Sequence, residues 1–158
     1  VQTCALPIFK VYYLRKILTL EEIKVQSFKT ADNLVAYISD ENYFKIYADG
    51  KLLKIESYAP EFYDAKDQCV VFFINNKFQA IVNGERYDLD NFQPISYKIS
   101  QGSIAWVDQN QRLHLFSNGQ STIATTELFS SYDLNNDLLS FYSPEYSTAI
   151  YYQGKIYR

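Results

Sequence analysis

His114 is the one histidine in the 158 residues, and Cys4 and Cys69 are the two cysteines. A catalytic base needs a partner held by the fold, and a zinc centre needs three or four nitrogen or sulfur ligands. This supply meets neither need, so no zinc site and no Cys–His nucleophilic pair is expected. Cys69 precedes Val70-Val71-Phe72-Phe73, a setting where a free thiol packs as a small hydrophobe, and Lys66 is the local cation that could activate it. Asp133-x-Asn135-x-Asp137 matches the first three ligands of a calcium loop. However, Leu138 stands where the loop needs glycine and Pro144 where it needs a bidentate glutamate, so the segment reads as a turn. The acid pairs Glu21-Glu22, Asp88 and Asp90, and Glu56 and Glu61 read as scattered, without a shared position. Glycosidase chemistry requires two carboxyls held across one cleft. There is no glycine-rich phosphate loop and no G-x-S-x-G elbow. The expectation is no catalytic residue, no metal and no cofactor.

The elements that would position any site follow from composition and period. Hydrophobic residues make up 47% and charged ones 21%, which describes a chain that folds. No apolar run approaches the length of a membrane-spanning helix. A net charge of −3 supplies no basic field for nucleic acid. Gly50, Gly84, Gly119 and Gly154 are spaced 34, 35 and 35 residues apart. Each closes a tight-turn dipeptide: Asp49-Gly50, Asn83-Gly84, Asn118-Gly119 and Gln153-Gly154. Six residues earlier stand Phe44, Phe78, Leu113 and Thr148, with Phe9 in the same register. Two aromatic columns keep step: Phe28, Tyr63, Tyr97 and Tyr132, then Tyr37, Phe72, Trp106 and Phe141. A repeat of about 35 residues therefore runs through the chain.

One unit reads as four short strands, over 34–39, 43–48, 51–57 and 60–66. The 34–39 run is apolar up to Ser39 and is read as the innermost strand. His114 shares a column with Lys10, Lys45, Gln79 and Ala149, read as an outward, solvent-facing slot. Residues 14–25 carry some helical spacing, but the register places 9–20 on two strands with Leu14-Arg15 at their turn. The fold expected is all-β: a partial β-propeller of four-stranded antiparallel blades, with an open β-solenoid-like stack of meanders as the alternative. Units fall at 9–33 (partial), 34–68, 69–102, 103–137 and 138–158 (partial).

Two resemblances add to this. Val1 to Ile8 resembles the translation of a sequencing adapter, which implies that residues 1–8 are non-native and that 9–158 is a propeller fragment. Val35-Ala36-Tyr37-Ile38-Ser39 with Ile46-Tyr47-x-x-Gly50 resembles the repeat of TolB-type propellers. Ile104-Ala105-Trp106-Val107-Asp108 with Leu115-Phe116-x-x-Gly119 repeats the likeness. That likeness implies propeller architecture with a periplasmic or extracellular home.

The functional expectation is a non-catalytic module that recognises a protein or glycan through loops on one face. Asp32, Asn33, Asp49, Asp67, Asn83, Asn118, Asn136 and Asp137 are the residues expected there. The alternatives are the propeller part of a larger hydrolase-type enzyme, or a structural repeat spacer.

Overall fold

The computed structural model describes residues 8–144 and 147–158. Most of the adapter-like segment, including Cys4, lies outside them. A two-stranded hairpin, β1 (Phe9–Tyr13) and β2 (Lys16–Glu21), is followed by four antiparallel four-stranded sheets. Sheet I contains β3 (Ser27–Ala31), β4 (Leu34–Ile38), β5 (Phe44–Ala48) and β6 (Lys51–Glu56). Sheet II contains β7 (Phe62–Lys66), β8 (Cys69–Ile74), β9 (Lys77–Val82) and β10 (Glu85–Asp90). Sheet III contains β11 (Ser96–Ser100), β12 (Ser103–Val107), β13 (Leu113–Ser117) and β14 (Gln120–Thr125). Sheet IV contains β15 (Ser131–Asn135), β16 (Leu138–Tyr142), β17 (Ala149–Tyr152) and β18 (Lys155–Tyr157). Every strand pairs with its neighbour in sequence, so each sheet is a simple meander. The array is an open, partial β-propeller, as the repeat implied.

The hairpin turns explain the dipeptide column. Asp49 and Gly50 have φ of 49° and 79°, and Asn83 and Gly84 have 52° and 82°. Both central residues of such a turn must be left-handed, which glycine tolerates freely and Asn or Asp tolerates better than most. Leu14 and Arg15 adopt the same conformation, with φ of 47° and 63°. Register therefore prevails over the helical spacing of residues 14–25. In sheet II the connection between β8 and β9 shrinks to Asn75-Asn76, both with positive φ, which absorbs the missing residue of the repeat.

Two features depart from the sequence reading. The sheets begin one strand before the sequence units, because Phe62–Lys66 pairs with β8 and not with β6. The apolar strand carrying Tyr37, Phe72, Trp106 and Phe141 is consequently second in its sheet, not innermost. Neighbouring sheets converge at the first strands, where Ser27 Oγ meets Tyr63 OH at 2.7 Å and Ser96 Oγ meets Tyr132 OH at 2.9 Å. In sheets I to III the second strand is buried along its whole length because neighbouring strands cover both of its faces, whereas β16 of sheet IV leaves Leu138 and Tyr142 exposed.

The core lies between sheets. Phe9, Phe44, Phe78 and Leu113 project onto the next sheet's Tyr37, Phe72, Trp106 and Phe141. Ring centroids are 5.1, 5.3 and 6.1 Å apart in the three aromatic pairs, and Leu113 shares one cluster with Phe141. Two columns read separately from the sequence are thus the two halves of one repeating contact, with the tilted ring geometry that aromatic quadrupoles favour. Cys69 is buried within this core, and burial pushes its thiol up to about 12. That is the inert thiol expected.

Candidate functional site

Two places gather polar side chains: the turn end of the sheets, and the outer part of each sheet-to-sheet interface. In a four-strand meander the first and third turns share one end. That end collects Asp32-Asn33 with Asp49-Gly50 and their counterparts in the other sheets. Asp32, Asp67 and Asn83 line one hollow with Gln68, Gln101 and Gly102. Asn118 and Asp137 line a second, beside Gln153 and Gly154, and Asn33 lines a third, between the hairpin and sheet I. Asp49 and Asn136 sit in turns at the same end, apart from these three hollows.

The backbone accounts for much of this residue choice. Asn33, Asp49, Asp67, Asn83, Asn118 and Asn136 all have φ between 49° and 55°. Asp67 also ties three sheets together: its carbonyl accepts from the Asp32 N–H at 2.8 Å and its Oδ2 from the Gln101 N–H at 2.6 Å. Asn136 N–H donates to Ser100 Oγ at 3.0 Å. Asp32 and Asp137 are the two whose type the backbone does not demand.

The first strands carry an alternating charge column. Lys29 lies 3.9 Å from Asp64, and Lys98 lies 2.8 Å from Asp133. The Ser–Tyr bonds recur at the same two junctions. At the intervening junction, Tyr97 OH donates to Asp64 at 3.4 Å and its ring stacks on Phe62. Sheets thus alternate in pairs. Asp133 belongs to this column, with its carboxyl lowered by the hydrogen bond from Lys98, and so is a strand residue and not a calcium ligand arranged in a loop.

The interface positions correct two readings from sequence. Glu21, Glu56, Asp90 and Thr125 share one position, six residues beyond the turn glycine or its equivalent. A β-bulge near the end of each fourth strand sets these residues opposite Phe9, Phe44, Phe78 and Leu113. Three of them reach the next sheet. Glu21 accepts from Tyr37 OH at 2.8 Å and Lys45 Nζ at 2.6 Å. Glu56 accepts from Arg86 at 2.6 Å, which also donates to Gln79 Oε1 at 2.7 Å. Asp90 accepts from Trp106 Nε1 at 3.1 Å. The acids are a repeating clasp, and counting six residues on from each glycine would have found it.

His114 is likewise not solvent-facing. Its ring stacks on Trp106, with centroids 4.8 Å apart, and Nε2 lies 2.9 Å from Asp108 Oδ2. Asp108 is 3% exposed and takes further bonds from the Asn110 and Arg112 N–H groups at 2.9 Å and from Arg112 Nε at 2.7 Å. Burial alone would raise its carboxyl, but the bonds from His114, Arg112 and Asn110 outweigh that and hold it at about 2. One ligand atom each from Asp90, Asp108 and His114 lies within 4.8 Å of the others, the one such group among the described residues. Counting only His and Cys missed it, because the carboxylates come from a neighbouring sheet and a turn. These three residues could face a divalent ion. The carboxylates, however, already accept from Trp106, His114, Arg112 and two backbone N–H groups, so the arrangement acts as a hydrogen-bonded clasp.

The family model for a 10-bladed β-propeller domain matches residues 5–157. The chain belongs to this family. The match favours the propeller over the solenoid-like stack, and it is to a 10-bladed type without reference to TolB-type repeats. No curated protein matches the sequence. Among solved structures, Prp20p from Saccharomyces cerevisiae, described with its binding properties to Gsp1p and histones, is similar at TM-score 0.52 and 8% identity. The alignment covers 84% of this chain and 48% of that one. The computationally designed Ika4 protein is similar at TM-score 0.46 and 11% identity, covering 82% of this chain and 91% of that one. The designed Ika8 protein has a TM-score of 0.45 and 10% identity, covering 87% and 49%. At 8% identity the likeness to Prp20p concerns the fold alone. No helix among the described residues is long and apolar enough to cross a membrane.

Proposed function

We propose that the chain is a non-catalytic binding or scaffold module that recognises a protein or glycan partner through the turn end of its sheets. The carrying observation is the hollow of about 320 Å³ where Asp32, Asp67 and Asn83 converge from neighbouring sheets. Loops on a rigid scaffold are the usual seat of recognition, and here bonds from turn to turn stiffen the surface before any partner arrives. The test compares wild type with an Asp32→Lys/Asp137→Lys double variant in glycan-array and protein-interaction screens. Ligands captured by the wild type are expected to be lost by the variant while its urea midpoint is unchanged. Retention of all of them would refute recognition through this face. Asp67 is unsuitable as a probe, since its bond to the Gln101 N–H makes it structural.

A further inference from the structure

Asn83-Gly84 and Asn118-Gly119 are the same dipeptide in the same kind of turn, yet their surroundings differ. All four residues are exposed, with φ of 52° and 82° in the first pair and 52° and 78° in the second. In both turns the strand pairing closes on the flanking residues, Val82 with Glu85 and Ser117 with Gln120. The turn residues therefore stand outside the ladder and can swing without breaking it. A Cβ placed on Gly119 would lie 3.7 Å from Tyr87 OH and 3.9 Å from Tyr87 Cε1, a side chain of sheet II packed against that turn. No described atom stands within 4 Å of a Cβ placed on Gly84. Of the two other dipeptides, Asp49-Gly50 is hemmed by Tyr13 Cε1 at 3.6 Å, and Gln153-Gly154, though open, carries a side chain one carbon longer. Asn83 also lines two adjoining hollows, beside Asp32 and Asp67 in one and beside Glu85 in the other.

Glycine has no side chain to shield its own amide nitrogen, so an asparagine before it is open to attack from the backbone. The Gly84 nitrogen bonds to Cγ of Asn83 while the Cγ–Nδ2 bond breaks. The Gly84 N–H proton leaves with Nδ2 as ammonia, and a five-membered imide remains. Solvent water then adds to one of the two imide carbonyls, and the nitrogen regains a proton. Opening at Cγ gives aspartate in an ordinary backbone. Opening at the main-chain carbonyl gives isoaspartate, with an extra methylene in the backbone. Either product replaces a neutral amide by a carboxylate beside Asp32, Asp67 and Glu85. Asp49 holds the equivalent slot at φ 49°, so aspartate keeps the turn, whereas the extra methylene does not fit a two-residue turn.

We infer that Asn83 is a spontaneous modification site of the folded chain, converting through a cyclic imide to isoaspartate and aspartate and adding a negative charge to the turn face. The full chain is kept folded in warm, mildly alkaline buffer, sampled over weeks, digested and read by mass spectrometry, with a urea-unfolded sample alongside. Both Asn-Gly sites are expected to convert at similar rates in the unfolded sample. In the folded sample Asn83 is expected to convert several-fold faster than Asn118, with isoaspartate among its products. Asn83→Gln is expected to abolish conversion at that position while Asn118 keeps its rate. Gln153 adopts φ 48° in the equivalent slot, so this variant keeps the turn. Equal folded-state rates at the two sites overturn the inference. So does an Asn83 that stays intact while the unfolded chain is consumed, or one that yields aspartate without isoaspartate. A turn face that binds nothing leaves these rates unchanged, so failure of the recognition reading and failure of this inference are told apart.

Discussion

The junction between sheets II and III and the junction between the hairpin and sheet I use the same columns to different effect. Both seat a third-strand phenylalanine on a second-strand aromatic, Phe78 on Trp106 and Phe9 on Tyr37. Both turn a fourth-strand acid onto that aromatic, Asp90 on the Trp106 indole and Glu21 on the Tyr37 hydroxyl. The interior junction is covered along its whole width. At the terminal junction two strands face sheet I among the described residues; Phe28 is 56% exposed there, and the Tyr47 hydroxyl has no partner among the described residues, with Leu18 standing where Thr122 serves Tyr151. The repeat therefore specifies which residues meet. Completeness of the contact depends on which side chain the facing strand places opposite, as Leu18 against Thr122 shows.

The largest expected effect separates the two junctions by their cooperativity. Trp106→Ala removes the largest fully buried side chain and strands the Asp90 carboxylate, and is expected to cost about 3–5 kcal/mol of global stability by urea unfolding. Tyr37→Ala is expected to act mainly locally, with hydrogen exchange rising in β1 and β2 well before the four sheets unfold. Equal global losses in both variants would mean the hairpin is as integral as an inner sheet.

Next comes the acid dependence of the interior clasp. The Asp108 carboxyl, held at about 2 against an ordinary 3.8, binds its proton less readily in the folded chain than in the unfolded one. Its contribution of about 2 kcal/mol is thus fully present above about pH 4 and is lost as pH falls toward 2. Asp108→Asn is expected to destabilise the chain at pH 7 and to flatten the stability profile across that window. A profile as steep as the wild type's would show that other carboxylates carry the acid response.

The smallest effect is also the sharpest contrast. Tyr151→Phe removes a made hydrogen bond and is expected to cost about 1 kcal/mol by thermal unfolding. Tyr47→Phe removes a hydroxyl with no partner and is expected to be neutral or stabilising by up to about 1 kcal/mol. A loss at both positions would place a bound water or ligand on Tyr47.

Much of the fold was legible because turn chemistry and hydrophobic period are local. Asn-Gly and Asp-Gly dipeptides announce left-handed turns wherever they stand, and the Tyr37 and Phe9 columns recur at a spacing that only stacked units explain. The candidate surface was legible to the same degree: the turn residues do share one end. Why Asn33, Asp67 and Asn136, which precede no glycine, are Asn or Asp was not legible, since their positive φ is a property of the folded backbone. His114 shows the limit most clearly. Its column of Lys45, Gln79 and Ala149 looked like solvent-facing surface, because alternation along a strand distinguishes two faces but does not say which is covered.

From its sequence alone, this chain was bound to form short antiparallel strands in repeating meanders of about 35 residues, with aromatic columns too apolar to remain in water. Tertiary structure alone decided where each unit is cut into a sheet, and that the fourth-strand acids reach the next sheet. It also decided that Asp90, Asp108 and His114 meet and that Tyr47 lacks what Tyr151 has. The physical reason is range: turn conformation and strand alternation are set within a few residues, whereas a buried polar group is satisfied or stranded by whatever a different sheet places beside it.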